Sequence, residues 1–200
     1  KIIEQETNKS VCSILQLRLH TEVQDAKSNF AKSPHSVVDV RYITPRGRWY
    51  MASWKGQLSK SGGVAMNIGV HIFDVLVHIF GKMERCDEVV QAGLMTSGIL
   101  ELERATVNFF LSTDARHLPE GNSGAYRRME INGKTFDLSS GFDDLHFFSY
   151  AEIINGRGFG IDECRPAIEM VTTLRDHKQD SNHETRYKLH HLATGEKRVA

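Results

Sequence analysis

Cysteine, proline and tryptophan are scarce, at three, four and two in 200 residues, and neither sign of charge is in excess. Cys12, Cys86 and Cys164 stand far apart with no paired spacing, which argues against both a disulfide framework and a zinc knuckle. With 25 Lys+Arg against 25 Asp+Glu and a pI near 7.3, no global field draws the chain to nucleic acid or an anionic membrane. The most apolar stretch, residues 64–80, is interrupted by Asn67, His71, Asp74 and His78, and the first residues hold no signal-like apolar core. A soluble, cytoplasmic globular protein is the expectation. What is present, 40% hydrophobic and 8% aromatic residues, suffices for one large domain or two small ones.

Residues 1–10 are polar and lead into a β-rich run over 11–19. Val23, Ala26, Phe30 and Ala31 share a helical face that Pro34 closes, and residues 37–44 alternate as a strand. From Gly62 the spacing predicts a long helix to Phe80 with Gly81 at its C-terminal cap. Residues 88–95 and 100–111 read as strands separated by a turn at Thr96-Ser97-Gly98. Asn132-Gly133 predicts a type I′ hairpin, since both positions of that turn need positive φ. Leu145–Asn155 and Asp162–Asp176 read as helices, the second capped by Asp162 with Pro166 in its opening turns. Alternation over residues 100–104, with Glu101 and Glu103 opposite Leu100, Leu102 and Arg104, predicts a sheet packed on helices on one side and open to a partner on the other. Thr113–Ser123 reads as a surface loop, and the polar stretch 179–200 carries His183, His190 and His191 without a clear pattern.

The helix entered through Gly62-Gly63 is apolar nearly all round, yet Asn67, His71, Asp74 and His78 fall at i, i+4, i+7 and i+11 and share one stripe. Buried polar groups need partners, so these four either satisfy one another and nearby backbone or serve a ligand. A shared metal ion is disfavoured, because i and i+7 positions lie about 10 Å apart along a helix. His71 suits a general acid/base, since an ordinary imidazole exchanges protons near neutral pH. Arg46-Gly47-Arg48-Trp49-Tyr50, followed by Ser53-Trp54-Lys55-Gly56, sets guanidinium forks beside flat rings. The group suits a phosphate or carboxylate next to a sugar or base, and equally a solvated hairpin rim. Gly156-Arg157-Gly158-Phe159-Gly160 follows a helix and lacks the spacing of a dinucleotide loop, so it reads as a helix end and turn.

Gly62-Gly63-x-x-x-Asn67-x-Gly69-x-His71-x-x-Asp74 resembles the motif helix in the C-terminal domain of the Gfo/Idh/MocA family of nicotinamide-dependent sugar oxidoreductases. The segments 14–20, 42–56, 152–160 and 165–169 are similar to the branch of UDP-N-acetylglucosaminuronate 3-dehydrogenases of bacterial lipopolysaccharide O-antigen biosynthesis. The resemblance implies an α+β fold, an open, mostly antiparallel sheet flanked by helices, of the glyceraldehyde-3-phosphate-dehydrogenase-like type. The family's N-terminal Rossmann domain, with its glycine-rich turn and its Glu-Lys-Pro lysine, has no counterpart here. Residues 1–19 are then the end of that absent NAD-binding domain or the crossover from it, and residues 20–200 are the substrate-binding and oligomerisation domain. By the same resemblance His71 is catalytic, Asn67 orients the sugar, and Arg46, Trp49 and Lys55 meet the uronate or UDP. NAD, with NADP as the other possibility, serves the full-length enzyme, while this chain holds no cofactor or metal site and the isolated chain is inactive. The implied partners are a UDP-sugar and further copies of the chain, as a dimer or tetramer formed through the sheet. The competing expectations are a dehydrogenase of another sugar or a cyclitol, and a non-catalytic binding or oligomerisation module.

Overall fold

The computed structural model describes residues 2–177. In chain order the elements are α1 (Ile2–Thr7), β1 (Cys12–Ser13), a 3₁₀ turn over Gln16–Leu19, α2 (Thr21–Phe30), β2 (Ser36–Ile43), α3 (Arg48–Ala52), a 3₁₀ turn over Trp54–Gly56, and α4 (Leu58–Ser61). A π-helical turn over Ala65–Gly69 then runs into α5 (Val70–Phe80). β3 (Met83–Ala92), β4 (Met95–Leu102), β5 (Ala105–Ser112), β6 (Tyr126–Ile131) and β7 (Lys134–Asp137) follow, then α6 (Leu145–Ile154), β8 (Phe159–Gly160) and α7 (Ile161–Asp176).

Six strands form an open sheet in the order β3-β4-β5-β2-β6-β7. Only β2 and β5 run parallel; the other four pairings are antiparallel, as expected for the α+β class. β1 and β8 pair separately as a short antiparallel ribbon. One face of the sheet, with Val38, Val40, Val107, Phe109, Met129 and Ile131, is buried under α2, α5 and α7. The opposite face carries Asp39, Asn108, Glu101, Arg128 and Glu130, none of them buried. That two-sidedness follows from period-2 alternation. The run Leu58–Phe80 is the one stretch of the described residues long and apolar enough to cross a bilayer, and 67% of its most apolar window is buried inside the protein.

The predicted hairpin is present, with φ of 48° at Asn132 and 83° at Gly133. Four expectations need correction. The run 11–19 is no strand: only Cys12–Ser13 pair, and Gln16–Leu19 wind into a 3₁₀ turn that buries Leu17 and Arg18. Thr96-Ser97-Gly98 is no turn but the interior of β4, where the chain reverses instead at Gly93-Leu94 and Glu103-Arg104. Gly98 is needed there because a Cβ would lie 3.1 Å from the Phe109 ring and 3.2 Å from the Asp87 carbonyl. The cap of α7 is Gly160, whose N–H donates to Glu163 Oε2 at 2.9 Å, and Asp162 lies inside the helix. The predicted single helix from Gly62 contains a π-turn at its start. The segment carrying His183, His190 and His191 lies outside the described residues.

Candidate active site

Gly62 and Gly63 both have φ of 74°, a left-handed conformation that side chains resist, and together they turn the chain from α4 into the motif helix. Gly69 admits a close approach to the sheet: a Cβ there would lie 2.7 Å from Leu111 Cδ1 and 2.8 Å from Phe73 Cε2. Between these glycines the π-turn carries one residue more per turn than an α-helix, a feature that recurs at functional sites because it re-aims side chains. Asn67 sits in that turn. Its amide donates to the Gly63 carbonyl (2.9 Å) and the Lys55 carbonyl (3.3 Å), which fixes the side chain and leaves Oδ1 as an open acceptor.

The polar stripe divides into two pairs. Asp74 is 2% exposed and accepts a bidentate pair from Arg18, Nη2 to Oδ1 at 2.7 Å and Nε to Oδ2 at 2.9 Å. Arg18 also donates to the Glu163 carbonyl at 3.0 Å, tying the first 3₁₀ turn to α5 and α7. His78 accepts from Lys27 Nζ, 2.9 Å from Nε2. Burial, with the charges of Arg18 and Lys27 adding to it, pushes the His78 pKa down to about 4. Asp74 and His78 are therefore structural.

Asn67 and His71 remain. Among the described residues neither ring nitrogen of His71 has a hydrogen-bond partner. Burial pushes its imidazole below the ordinary value of 6.5; Asp74 pulls it back up, while His146 and Arg127 push it further down. A half-buried, uncommitted imidazole held neutral at physiological pH is equipped to accept a proton.

Of the other expected site residues, Lys55 lies against Asn67 through its carbonyl, and its ammonium sits 5.9 Å from the ring centres of both Trp49 and Trp54. Trp49 and Trp54 are 56% and 55% exposed, flat surfaces open to a ligand. Arg46 is exposed, and its charge is felt by the phenols of Tyr42 and Tyr50. The structure thus groups Lys55, Trp49 and Asn67, while the charge of Arg46 acts on Tyr42.

Sequence reasoning missed Arg127. Its guanidinium carbon lies 5.3 Å from the Tyr42 ring centre and 4.4 Å from that of Phe142. The signal was there in β6: Arg127, Met129 and Ile131 share one face by strand alternation, and the last two are fully buried.

Residues 36–133 match the Gfo/Idh/MocA family model described as "Oxidoreductase family, C-terminal alpha/beta domain". Among solved structures, the WlbA (WbpB) dehydrogenase from Thermus thermophilus, in complex with NAD and UDP-GlcNAcA, is 35% identical. The superposition has a TM-score of 0.85 and covers 92% of this chain and 61% of that one. A second complex of the same enzyme, with NAD and alpha-ketoglutarate, is 36% identical with a TM-score of 0.86, covering 94% of this chain and 62% of the other. The chain therefore spans about three fifths of the length of these relatives. A UDP-N-acetylglucosamine 3-dehydrogenase from Acidithiobacillus ferrooxidans, at 15% identity and a TM-score of 0.65 over 88% of this chain and 64% of that one, shares the fold.

Proposed function

We propose that this chain is the substrate-binding and assembly portion of an NAD-dependent dehydrogenase that oxidises C3 of UDP-N-acetylglucosaminuronic acid, a reaction of bacterial O-antigen biosynthesis. The observation that carries the reading is His71: half-buried, without a hydrogen-bond partner among the described residues, and one turn beyond the anchored Asn67. His71 accepts the C3 hydroxyl proton, Asn67 Oδ1 orients the sugar, and Lys55, Trp49 and Arg46 form the wider rim that receives the nucleotide and the acid group. The likeness to a dehydrogenase crystallised with UDP-GlcNAcA supports the substrate class, and both non-dinucleotide ligands in the Thermus complexes carry a carboxylate.

Residues 2–177 do not themselves fit a dinucleotide. The glycine-rich run 156–160 leads into an α7 N-terminus whose Gly160 N–H already binds the Glu163 carboxylate, so a pyrophosphate finds that N–H taken. On this reading NAD, which supplies the hydride acceptor, is held by a further part of the full protein. The open face of the sheet is the surface through which copies of the chain assemble.

The test is His71→Asn in the full-length protein, with turnover and melting temperature measured together. Turnover should fall by roughly a hundredfold or more, the typical contribution of a positioned acid/base, with melting nearly unchanged. A large drop in melting with unaltered turnover per folded molecule would make His71 structural.

A further inference from the structure

Four strands place one row of side chains under the start of the motif helix. Thr96 of β4 pairs with Leu111 of β5, Leu111 with Tyr42 of β2, and Tyr42 with Arg127 of β6. Thr96, Leu111 and Tyr42 are all buried, so the row belongs to the core face, yet its fourth member is a guanidinium. Arg127 has no compensating carboxylate among the described residues. Its Nε is buried with no hydrogen-bond partner. Arg18 is paired with Asp74 and Arg128 with Glu130, and Arg104, whose Nε is likewise buried without a partner, donates Nη2 to the Ile79 carbonyl at 2.7 Å; no such bond is found for the Arg127 Nε among the described residues. A half-buried cation on a core face without an anion is costly, and the cost is recovered when an anion arrives.

The surroundings define that anion. The guanidinium lies over the rings of Phe142 and Tyr42, and its fork suits a planar, two-oxygen partner. Arg46, exposed and likewise without a carboxylate partner among the described residues, exerts its charge on the same Tyr42. The more exposed Lys55, between Trp49 and Trp54, suits the outer diphosphate and base, which leaves the inner guanidinium for the sugar itself.

Building on the function proposed above, we propose that Arg127, assisted by Arg46, receives the carboxylate of the sugar and makes the site selective for uronic acids over neutral UDP-sugars. Arg127 is then a specificity-determining residue that acts on binding and placement, while His71 carries the proton.

The experiment uses the full-length, NAD-loaded protein with Arg127→Gln and Arg127→Lys. Calorimetric Kd and steady-state kcat/KM are measured for UDP-N-acetylglucosaminuronic acid, UDP-N-acetylglucosamine and UDP. Arg127→Gln should weaken the acid by roughly 10- to 150-fold, the range of a hydrogen bond to a charged group, and leave the neutral sugar and UDP within about twofold. Arg127→Lys, which keeps the charge and loses the fork, should fall between. Equal losses for all three ligands would place Arg127 on the diphosphate or in the fold, and no loss would leave it without a binding role; either overturns the proposal. If the Gln variant does not fold by circular dichroism, Arg46→Gln on the exposed side should show a smaller loss confined to the acid, and a loss shared with the neutral sugar overturns the idea. Should the wild type turn over neither sugar, the dehydrogenase reading falls, while the Kd ratio of acid to neutral sugar still decides the role of Arg127.

Discussion

A single imidazole shows how environment selects a role. His71 and His78 lie on one helix two turns apart and are both pushed below 6.5 by burial, yet one holds a lysine ammonium and the other holds nothing. Because the His71 pKa is lowered, its neutral form persists to pH values below 6.5. The acid limb of kcat/KM in the full-length enzyme should therefore lie below pH 6.5; a pH–rate profile with its limb above that value would assign the proton transfer elsewhere. For His78 the consequence is stability. Its folded-state pKa, about 4, lies below the ordinary 6.5, so between these values the unfolded chain binds more protons than the folded one. The contribution is fully present above pH 6.5 and is lost as pH falls toward 4. Chemical denaturation across that window should show His78→Gln with a flatter loss than the wild type.

At the level of elements, the position of the motif helix depends on two joints. One is Gly69, where helix and sheet approach so closely that Leu111 and Phe73, both fully buried, leave no room for a methyl group. Gly69→Ala should cost about 1–3 kcal/mol through overpacking, read as a lower urea midpoint with unchanged slope. The other is the Arg18–Asp74 pair, with side chains 5% and 3% exposed, which locks α5 to the 3₁₀ turn and, through the Glu163 carbonyl, to α7. Asp74→Ala leaves a buried guanidinium with only the longer Glu163 carboxylate contact, 3.4 Å from Nη1, and should cost about 3 kcal/mol. The Asp of the motif, which on sequence looks like a neighbour of the reacting groups, thus positions the helix that carries them.

Over the whole molecule the sheet divides the labour. Its covered face supports the motif helix and ends in Arg127, and its open face offers Val37, 52% exposed, on the middle strand beside Asp39. If copies assemble through that face, light scattering should show a dimer or larger species at micromolar concentration, and Val37→Asp should shift it toward monomer by adding charge opposite like charge. A 200-residue chain without a free glycine-rich cradle among its described residues should give no saturable heat with NAD; a micromolar isotherm would move the dinucleotide site into this chain.

What the sequence determined by itself was local. The Asn132-Gly133 turn, the strand over residues 37–44, the helix closed at Gly81 and the Gly62-Gly63 entry all rest on backbone preferences of a few neighbouring residues, which are legible without a fold. The pattern Gly-Gly, Asn67 and His71 was legible for the same reason, because helical spacing alone puts those groups on one side. Spacing could not tell which of the four stripe residues were already spoken for. Arg18 is 56 residues from Asp74 in sequence and Lys27 is 51 from His78, and only packing of the first 3₁₀ turn and α2 against α5 brings these partners in. Thr96-Ser97-Gly98 misled because small polar residues favour turns in isolation, whereas β5 on one side and β3 on the other hold them in a ladder. Arg127 was hidden because its meaning depends on a row built across four strands, with cross-strand register supplied by the tertiary structure and by nothing within reach of the local chain.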